Sequence, residues 1–543
     1  MKPSQPEQKH GGSKLPAGWV ECCLGDILRV IRGVTYKKEN AAAQEKDGFV
    51  PILRATNIND GLTFADLVYV PPTCVSQDQM LQAGDVVIAA SSGSKSVVGK
   101  AALFKGEWRG SFGAFCYGLR PAPEMDAGYI ADFLRTAQYR NYVSTVAAGV
   151  NINNLRREHI ERFTFPLAPR PEQSRIVSEI EKHFSRLDAG VAALKRVGAN
   201  LRRYKASVLK AACEGRLTAA WRAAHPNVEP ASELLKRILR DRRRRWEESE
   251  LAKLRARGKP PKDDRWKERY EEPRLPRPDA LPELPTGWAY SPLDPLVAAT
   301  NNAIKRGPFG SAIKKELFVS VGFKVYEQKH AIYGDFTLGE YYIDQHKFDE
   351  LRAFEVRPGD LIISCSGTVG RTAIVPLGAQ PGIINQALLK LTFDADVILA
   401  RYFEIVFAAM LDTLLRQNVR GSAMANITGV KELKQIAWPL PPLDEQREII
   451  KEVDRLFSLG DEVANDLGRV RRRATHLRQS ILRNAFEGKL VEQDPHDEPA
   501  SVLLERIRAL RTPDAMQQVH ASHQAARHKD PLRPSRTPRS TRR

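Results

Sequence analysis

The sequence predicts an α+β protein built in tandem: two mixed α/β blocks, each followed by a long helix, with the two helices paired within the chain. The first observation behind this is an internal repeat. Pro166 to Leu217 and Pro439 to Leu490 align at one offset without a gap and agree at 19 of 52 positions, which fixes the architecture before any motif is weighed. The second is that Leu15-Pro16-Ala17-Gly18-Trp19 returns as Leu284-Pro285-Thr286-Gly287-Trp288. The repeating unit is therefore block plus helix, and the blocks match in length while diverging in sequence. The third is heptad spacing, with Val453, Gly460, Leu467, Ala474 and Ile481 at a and Leu456, Val463, Val470 and Leu477 at d, the pattern of a coiled-coil seam.

The elements follow in order. Residues 1–14 are polar and are expected to be loose. In the first block (15–168), Gly84-Asp85 opens the β-rich run Val86-Val87-Ile88, and a Ser91-Ser92-Gly93-Ser94 loop follows. The second block (284–440) answers with Gly359-Asp360, Leu361-Ile362-Ile363 and Ser364-Cys365-Ser366-Gly367. Amphipathic helices are expected over Tyr129 to Val146 and Val397 to Leu415, and Asn-rich segments (Asn151 to Asn154; Gly421-Ser422-Ala423, then Asn426-Ile427) lead to the long helices. The helical spacers, 169–235 and 441–510, open on Glu172-Gln173 and Glu445-Gln446 and end in Glu-Gly-basic-Leu, with Gly215 and Gly488 placed as C-caps. The first copy has Ile180, Leu187, Leu194, Leu201 and Val208 at a but His183, Gly190, Val197, Tyr204 and Ala211 at d, a looser seam. Each helix reaches roughly 60 Å, a ruler within the chain. Between the halves, 236–283 is charged and turns Pro-rich: 232–257 suits a charged surface helix and 258–283 a linker. The basic tail, 511–543, is poor in apolar residues and is expected to be disordered.

Composition narrows the function classes. A hydrophobic fraction of 42% argues for real cores, and the net charge of +19 argues for a polyanionic partner. That charge lies outside the blocks: 15–168 and 284–440 each carry 16 basic against 15 acidic residues, whereas 236–280 carries 17 against 10. Neither a secretory leader nor a long apolar run is found, so a cytoplasmic protein without membrane contact is expected. Six cysteines without CxxC spacing support neither a zinc site nor a disulfide framework, and no metal is expected.

Enzyme motifs are missing. There is no Asn/Asp-Pro-Pro-Tyr, no Gly-x-Gly, no HExxH and no Gly-x-Ser-x-Gly. The nearest phosphate-loop candidate, Gly93 to Ala101, has five residues between its glycines and Ala101 where Ser or Thr is needed to reach magnesium. A nuclease reading fails because Pro285 stands where lysine is required after Pro278-Asp279 and Glu283.

LPxGW, a variable block, GD-β-SG, then Pro439-Leu-Pro-Pro-Leu-Asp-Glu-Gln-Arg-Glu-Ile-Ile450 and a long helix ending EG[RK]L, all present twice, resemble the specificity subunit of type I restriction-modification enzymes. The first copy departs from this at Ala168 and Arg170-Pro171, and 236–283 and the tail match no family pattern. The resemblance implies that the blocks are target recognition domains, each reading half of a split, asymmetric sequence in double-stranded DNA. It implies that the helices pack as an antiparallel coiled coil that fixes the spacer, and that two adenine methyltransferase subunits and motor-nuclease subunits bind around them. S-adenosylmethionine, ATP and Mg are then expected on those partners, with no cofactor and no catalytic residue on this chain.

For contacts with phosphates and base edges the candidates are Lys37, Lys38, Arg54, Asn57, Ser92 and Lys95 in the first block. In the second they are Lys305, Arg306, Ser311, Lys314, Lys315, Gln328, Lys329, Ser366 and Arg371, because Arg and Lys suit guanine and Asn and Gln suit adenine. Glu172, Gln173, Glu445 and Gln446 are expected either at the partner interface or capping the helices they open. Trp19 and Trp288 are expected to anchor cores. Two other readings compete: a DNA-binding or bridging protein without restriction partners, and a self-contained methyltransferase or nuclease of unfamiliar type, which the missing motifs disfavour.

Overall fold

The computed structural model describes residues 15–106, 108–147, 153–258, 261, 263–274, 281–309, 312–417 and 430–511, residues 153 and 412–417 as backbone only. The expected loose N-terminus, the tail beyond Arg511, Asn151-Ile152, the segment 421–427 and Ser311 lie outside the described residues. The chain divides into two compact units, residues 1–194 with 468–543 and residues 195–467. Each unit holds one block together with half of each long helix.

In the first unit an antiparallel sheet runs in the order Leu28–Arg32, Cys116–Pro121, Val86–Ala89, Ala101–Leu103. A second sheet, Val68–Val70, Val50–Leu53 and Ser111–Phe112, includes a parallel pair, Ile52 opposite Ser111. The other unit repeats the first sheet as Ile304–Arg306, Leu388–Leu391, Leu361–Ser364, Thr372–Ile374, and adds a sheet of Tyr342–Ile343, Phe323–Tyr326, Gly382–Ile384 and Glu355–Val356. Val86 to Ala89 are apolar without alternation because both faces are covered: Val86 and Ile88 enter one core, Val87 and Ala89 another. Leu361 and Ile363 likewise face one core while Ile362 faces a second.

Each block is closed at its base by pairing its first strand with its last, Val20–Cys23 with Thr164–Leu167 and Ala289–Ser291 with Trp438–Leu440. A buried tyrosine seals each closure: Tyr129 Oη donates to the Pro166 carbonyl at 2.9 Å and Tyr402 Oη to that of Pro439 at 3.0 Å. The first amphipathic helix differs from its expected span. It is two helices, Ala127–Phe133 and Ala137–Val146, because the Thr136 hydroxyl accepts from the Tyr139 amide and starts a new helix. Its counterpart runs unbroken over Ala400–Gln417.

The long helices are Arg170–Cys213 and Leu443–Phe486. Both end in a Schellman turn: Arg216 N–H bonds Ala211 O, and Lys489 N–H bonds Asn484 O. The left-handed residue between is glycine in each, Gly215 at φ 63° and Gly488 at φ 67°. The helices run antiparallel in each unit. Lys205 pairs with Asp461 and lies 5.1 Å from the Phe457 ring; Arg478 pairs with Asp188 and lies 5.0 Å from the Phe184 ring. The same repeat positions supply cation, carboxylate and ring in both places, as an antiparallel pair of related helices requires.

The heptad reading holds at a and fails at d. Ile180, Val208, Val453 and Ile481 are buried, and Gly460 lets Leu201 Cδ1 come within 3.3 Å of where its Cβ would stand. At d, Val197, Tyr204, Val463, Val470 and Leu477 are 42–48% exposed. A pair of helices without a third layer covers only one narrow stripe; at its ends each helix packs on a block, and there Ile449 and Ala211 at d are buried.

Candidate nucleic-acid interface

Sheet register decides where the candidate loops go. In the first unit Arg32 lies opposite Tyr117, Ala89 opposite Cys116 and Ile88 opposite Ala101. The loops after Arg32, before Cys116 and between Ala89 and Ala101 therefore leave from the same end of the sheet. The Gly113 amide donates to Leu53 O at 2.8 Å, which brings the turn after Leu53 to that end as well. The other unit repeats this: Arg306 opposite Leu389, Ser364 opposite Leu388, Ile363 opposite Thr372, and the Asn385 amide on Tyr326 O at 2.9 Å.

In the first unit this collects Lys37, Lys38, Arg54 and Lys95, all exposed, and half-buried Ser92, which pairs with Asn153 in a short ladder. The Arg54 guanidinium donates to Asp66 O. Asn57 is at the same end but is only 3% exposed, and its amide is spent on structure. Its Oδ1 accepts from the Arg54 amide at 2.8 Å and its Nδ2 donates to Ala65 O at 2.7 Å.

In the second unit Lys314, Lys315 and Arg371 are exposed; Lys305, Arg306, Gln328, Lys329 and Ser366 are half-buried. Gln328 Nε2 donates to Ser366 O, which ties two of the loops together. Arg306 Nε donates to Gln386 O at 3.3 Å, Lys305 sits 5.0 Å from the Phe354 ring, and Lys329 pairs with Glu327 at 2.7 Å. His330 does here what Asn57 does in the first unit: its Nδ1 accepts from the Glu327 amide at 2.8 Å, while Nε2 donates to Leu338 O at 2.7 Å. Burial pushes the His330 pKa below the ordinary histidine range, which keeps that acceptor available.

Three residues at these ends escaped sequence reading: Arg32, exposed at a strand end; Phe115, 65% exposed beside the Ser-Gly loop; and Gln386, exposed beside Arg306. Arg32 had a legible signal, since Arg32-Gly33 matches Arg306-Gly307. Both glycines serve close approach of backbones. A Cβ on Gly33 would stand 2.0 Å from Gly113 O, and one on Gly307 1.8 Å from Asn385 O.

Glu172, Gln173, Glu445 and Gln446 lie inside rather than on a surface, at 1% exposure or less. Trp19 Nε1 donates to Glu172 Oε2 and Trp288 Nε1 to Glu445 Oε2, each at 2.9 Å. Gln173 bonds Ala168 O at 2.8 Å and the Asp126 amide at 3.0 Å; Gln446 bonds Pro441 O at 3.1 Å and the Leu399 amide at 2.9 Å. These side chains staple the LPxGW turn and the block to the start of the helix. Both tryptophans are core anchors, 8% and 7% exposed.

Buried thiols are held protonated, Cys22 and Cys116 being pushed up to about 12 by burial. Among the described residues no group of three His, Cys, Asp or Glu side chains is placed to hold a metal, and no helix is long and apolar enough to cross a membrane.

The family profile described as the type I restriction modification DNA specificity domain matches residues 16–193 and 310–466. The chain is 30% identical to the type I restriction enzyme EcoKI specificity subunit of Escherichia coli K12, over 92% of this chain and 96% of that one. It is 28% identical to the StySPI specificity subunit of Salmonella potsdam, over the same shares. In fold it resembles a chain solved in work on complex assembly and conformational transition of the type I R-M system, with TM-score 0.56 and 17% identity, covering 88% of this chain and 100% of that one. A duplicated block-and-helix scaffold, antiparallel long helices and a profile that matches both halves place this chain in the family of type I restriction-modification specificity subunits.

Proposed function

We propose that residues 15–168 and 284–440 are two target recognition domains, each reading half of a bipartite, asymmetric duplex site through the loops gathered at its sheet end. As a member of its family the chain is the non-catalytic DNA-recognition subunit of a restriction-modification complex. The observation that carries the two-headed reading is the conserved sheet end: the same strand register in both units delivers sequence-divergent, polar and basic loops to one place. Lys37, Lys38, Lys95, Lys314, Lys315 and Arg371 have no ion pair among the described residues and suit phosphate or guanine contacts. Arg54, Ser92, Lys305, Arg306, Gln328, Lys329 and Ser366 shape or join the same loops, and Ser311 is a further candidate from the sequence.

The spacers 169–235 and 441–510 set the distance between half-sites, and 236–283 links the halves. Two adenine methyltransferase subunits dock on the helices, and the outward d-position residues Val463, Val470 and Leu477 supply apolar surface for them. Motor-nuclease subunits join this assembly in the cytoplasm. S-adenosylmethionine, ATP and Mg belong to the partners. Replacing residues 20–165 by the corresponding block of another family member, then mapping methylated adenines with the methyltransferase present, is expected to change one half of the target and keep the other. An unaltered target would overturn the assignment, and so would methylation by this chain alone.

A further inference from the structure

The two-fold repeat also breaks outside the blocks. After the first long helix and the short helix Ala219–Ala224 comes a helix over Ala231–Ala256, 26 residues, whereas its counterpart, Ala500–Ala509, has 10. Both start alike, with the Ala231 amide on Gly287 O and the Ala500 amide on Gly18 O, each at 2.8 Å. The extra turns, with residues 263–274 folded back on them, form a wall that the first unit lacks among the described residues. Although 258–283 reads as linker, this part is built. Trp266, 8% exposed, stacks on Trp246 with ring centres 6.0 Å apart, Tyr270 packs on Trp246 at 5.3 Å, and Arg242 anchors the helix by donating to Val297 O at 2.9 Å.

Between this wall and the second block lies an open cleft of about 1120 Å³. Arg245, Arg274 and Lys431 on its lining are exposed and have no ion pair among the described residues. Trp246, Tyr270, Pro273 and Pro292 are the aromatic and proline part of its lining. Of its three carboxylates, Glu272 is paired with Arg243 at 3.2 Å and Asp294 with Lys434 at 3.0 Å. The cleft is not part of the reading surface. Its residues 299–301 precede Ile304, which lies opposite Leu391, while the candidate loops leave the sheet at Arg306 and Leu389.

We infer that this cleft binds an extended, acidic segment of a protein partner, one that engages the chain at a single unit. Unpaired cations beside aromatic and proline side chains suit carboxylates borne on a peptide, which buries its backbone and apolar atoms there. The volume takes a short stretch of polypeptide and is too small for a duplex. With Glu272 and Asp294 held by Arg243 and Lys434, the unpaired Arg245, Arg274 and Lys431 set the sign of charge the cleft accepts. A partner bound twice, once on each repeat, would use features present twice; this one is present once.

The test uses the full chain and a fluorescein-labelled oligo-glutamate peptide, followed by anisotropy at low and moderate salt. The triple reversal Arg245→Glu, Arg274→Glu, Lys431→Glu is expected to weaken binding about tenfold. Ser249→Trp, an uncharged plug on the same lining, is expected to weaken it comparably, which guards against a misfolded reversal. Target-duplex binding, measured separately with the methyltransferase partner present, stays at the wild-type level in both, so failure here leaves the recognition reading standing. Peptide binding that neither variant changes would overturn the inference. So would a reversal that abolishes binding of a non-target oligonucleotide while sparing the peptide, since the ligand would then be nucleic acid.

Discussion

Glu172 and Glu445 occupy the same repeat position and hold the same tryptophan turn, yet their other partners differ in charge, and this makes a quantitative prediction. Glu445 Oε1 accepts from Thr218 at 2.7 Å and from Arg222 Nη2 at 2.7 Å, with Arg222 only 22% exposed. Arg222 also donates to Gly215 O at 2.6 Å and so closes the end of the first long helix. Around Glu172 the equivalent work is done by a neutral amide: Gln493 Nε2 donates to Glu172 Oε1 at 3.2 Å and to Gly488 O at 2.6 Å. Burial raises the Glu172 pKa above the ordinary carboxylate range. Glu445→Gln strands a largely buried guanidinium, for which full burial would cost about 3–5 kcal/mol; with Arg222 able to turn partly to water the expected loss is about 2–3 kcal/mol. Glu172→Gln removes a charge that burial already disfavours, at about 0–1 kcal/mol. Native-state hydrogen exchange resolves the two locally. Peptides covering 215–231 and 284–290 should open roughly 30- to 150-fold more often in Glu445→Gln, at 1.4 kcal/mol per tenfold, and those covering 15–23 and 488–500 less than about fivefold more often in Glu172→Gln. Equal effects, or a larger one at Glu172, would refute the reasoning.

The other predictions concern the candidate loops and the closure of the first unit. The folded-state pKa of His330 is depressed, so the stability it contributes is complete above its unfolded value of about 6.5 and is lost as pH falls through the folded value. Exchange protection of 327–339 should fall on acidification below that range, and His330→Asn, which copies Asn57, should abolish the dependence. Asn57→Ala should cost about 1–2 kcal/mol in urea unfolding by leaving the Arg54 amide without its acceptor, whereas Arg54→Ala should leave stability nearly unchanged and weaken duplex binding. Deleting 500–511 strips Leu503, Leu504 and Ile507, each 5% exposed or less, from the first core. At about 1.5–3 kcal/mol per side chain this rivals the whole stability of a domain, so limited proteolysis should cut the first block rapidly and spare the second.

Much of the architecture was legible in the chain because repetition is legible. The ungapped repeat, the LPxGW pair and the Gly-Asp strand starts named the units, and Gly215 and Gly488 marked helix ends, since only the left-handed region closes those turns. Local signals misled where several groups competed for one residue. Asn57 looked like a base-reading amide but is consumed by its own turn; Glu-Gln looked like a cap or a docking motif but holds a tryptophan. The d positions Val463, Val470 and Leu477 looked like seam and face outward, because periodicity reports which residues share a face, not whether a third layer exists to cover it.

By itself, then, the sequence determined the tandem, the two long helices, the family and the absence of recognisable enzyme motifs, all of which rest on order and spacing along one strand. The tertiary structure alone decided that loops from four separate parts of each block converge at one sheet end, because strand register is a pairing between distant segments. It also decided that residues 263–274, within a stretch resembling a linker, pack back on the arginine-rich helix through Trp266, since burial depends on what stands opposite.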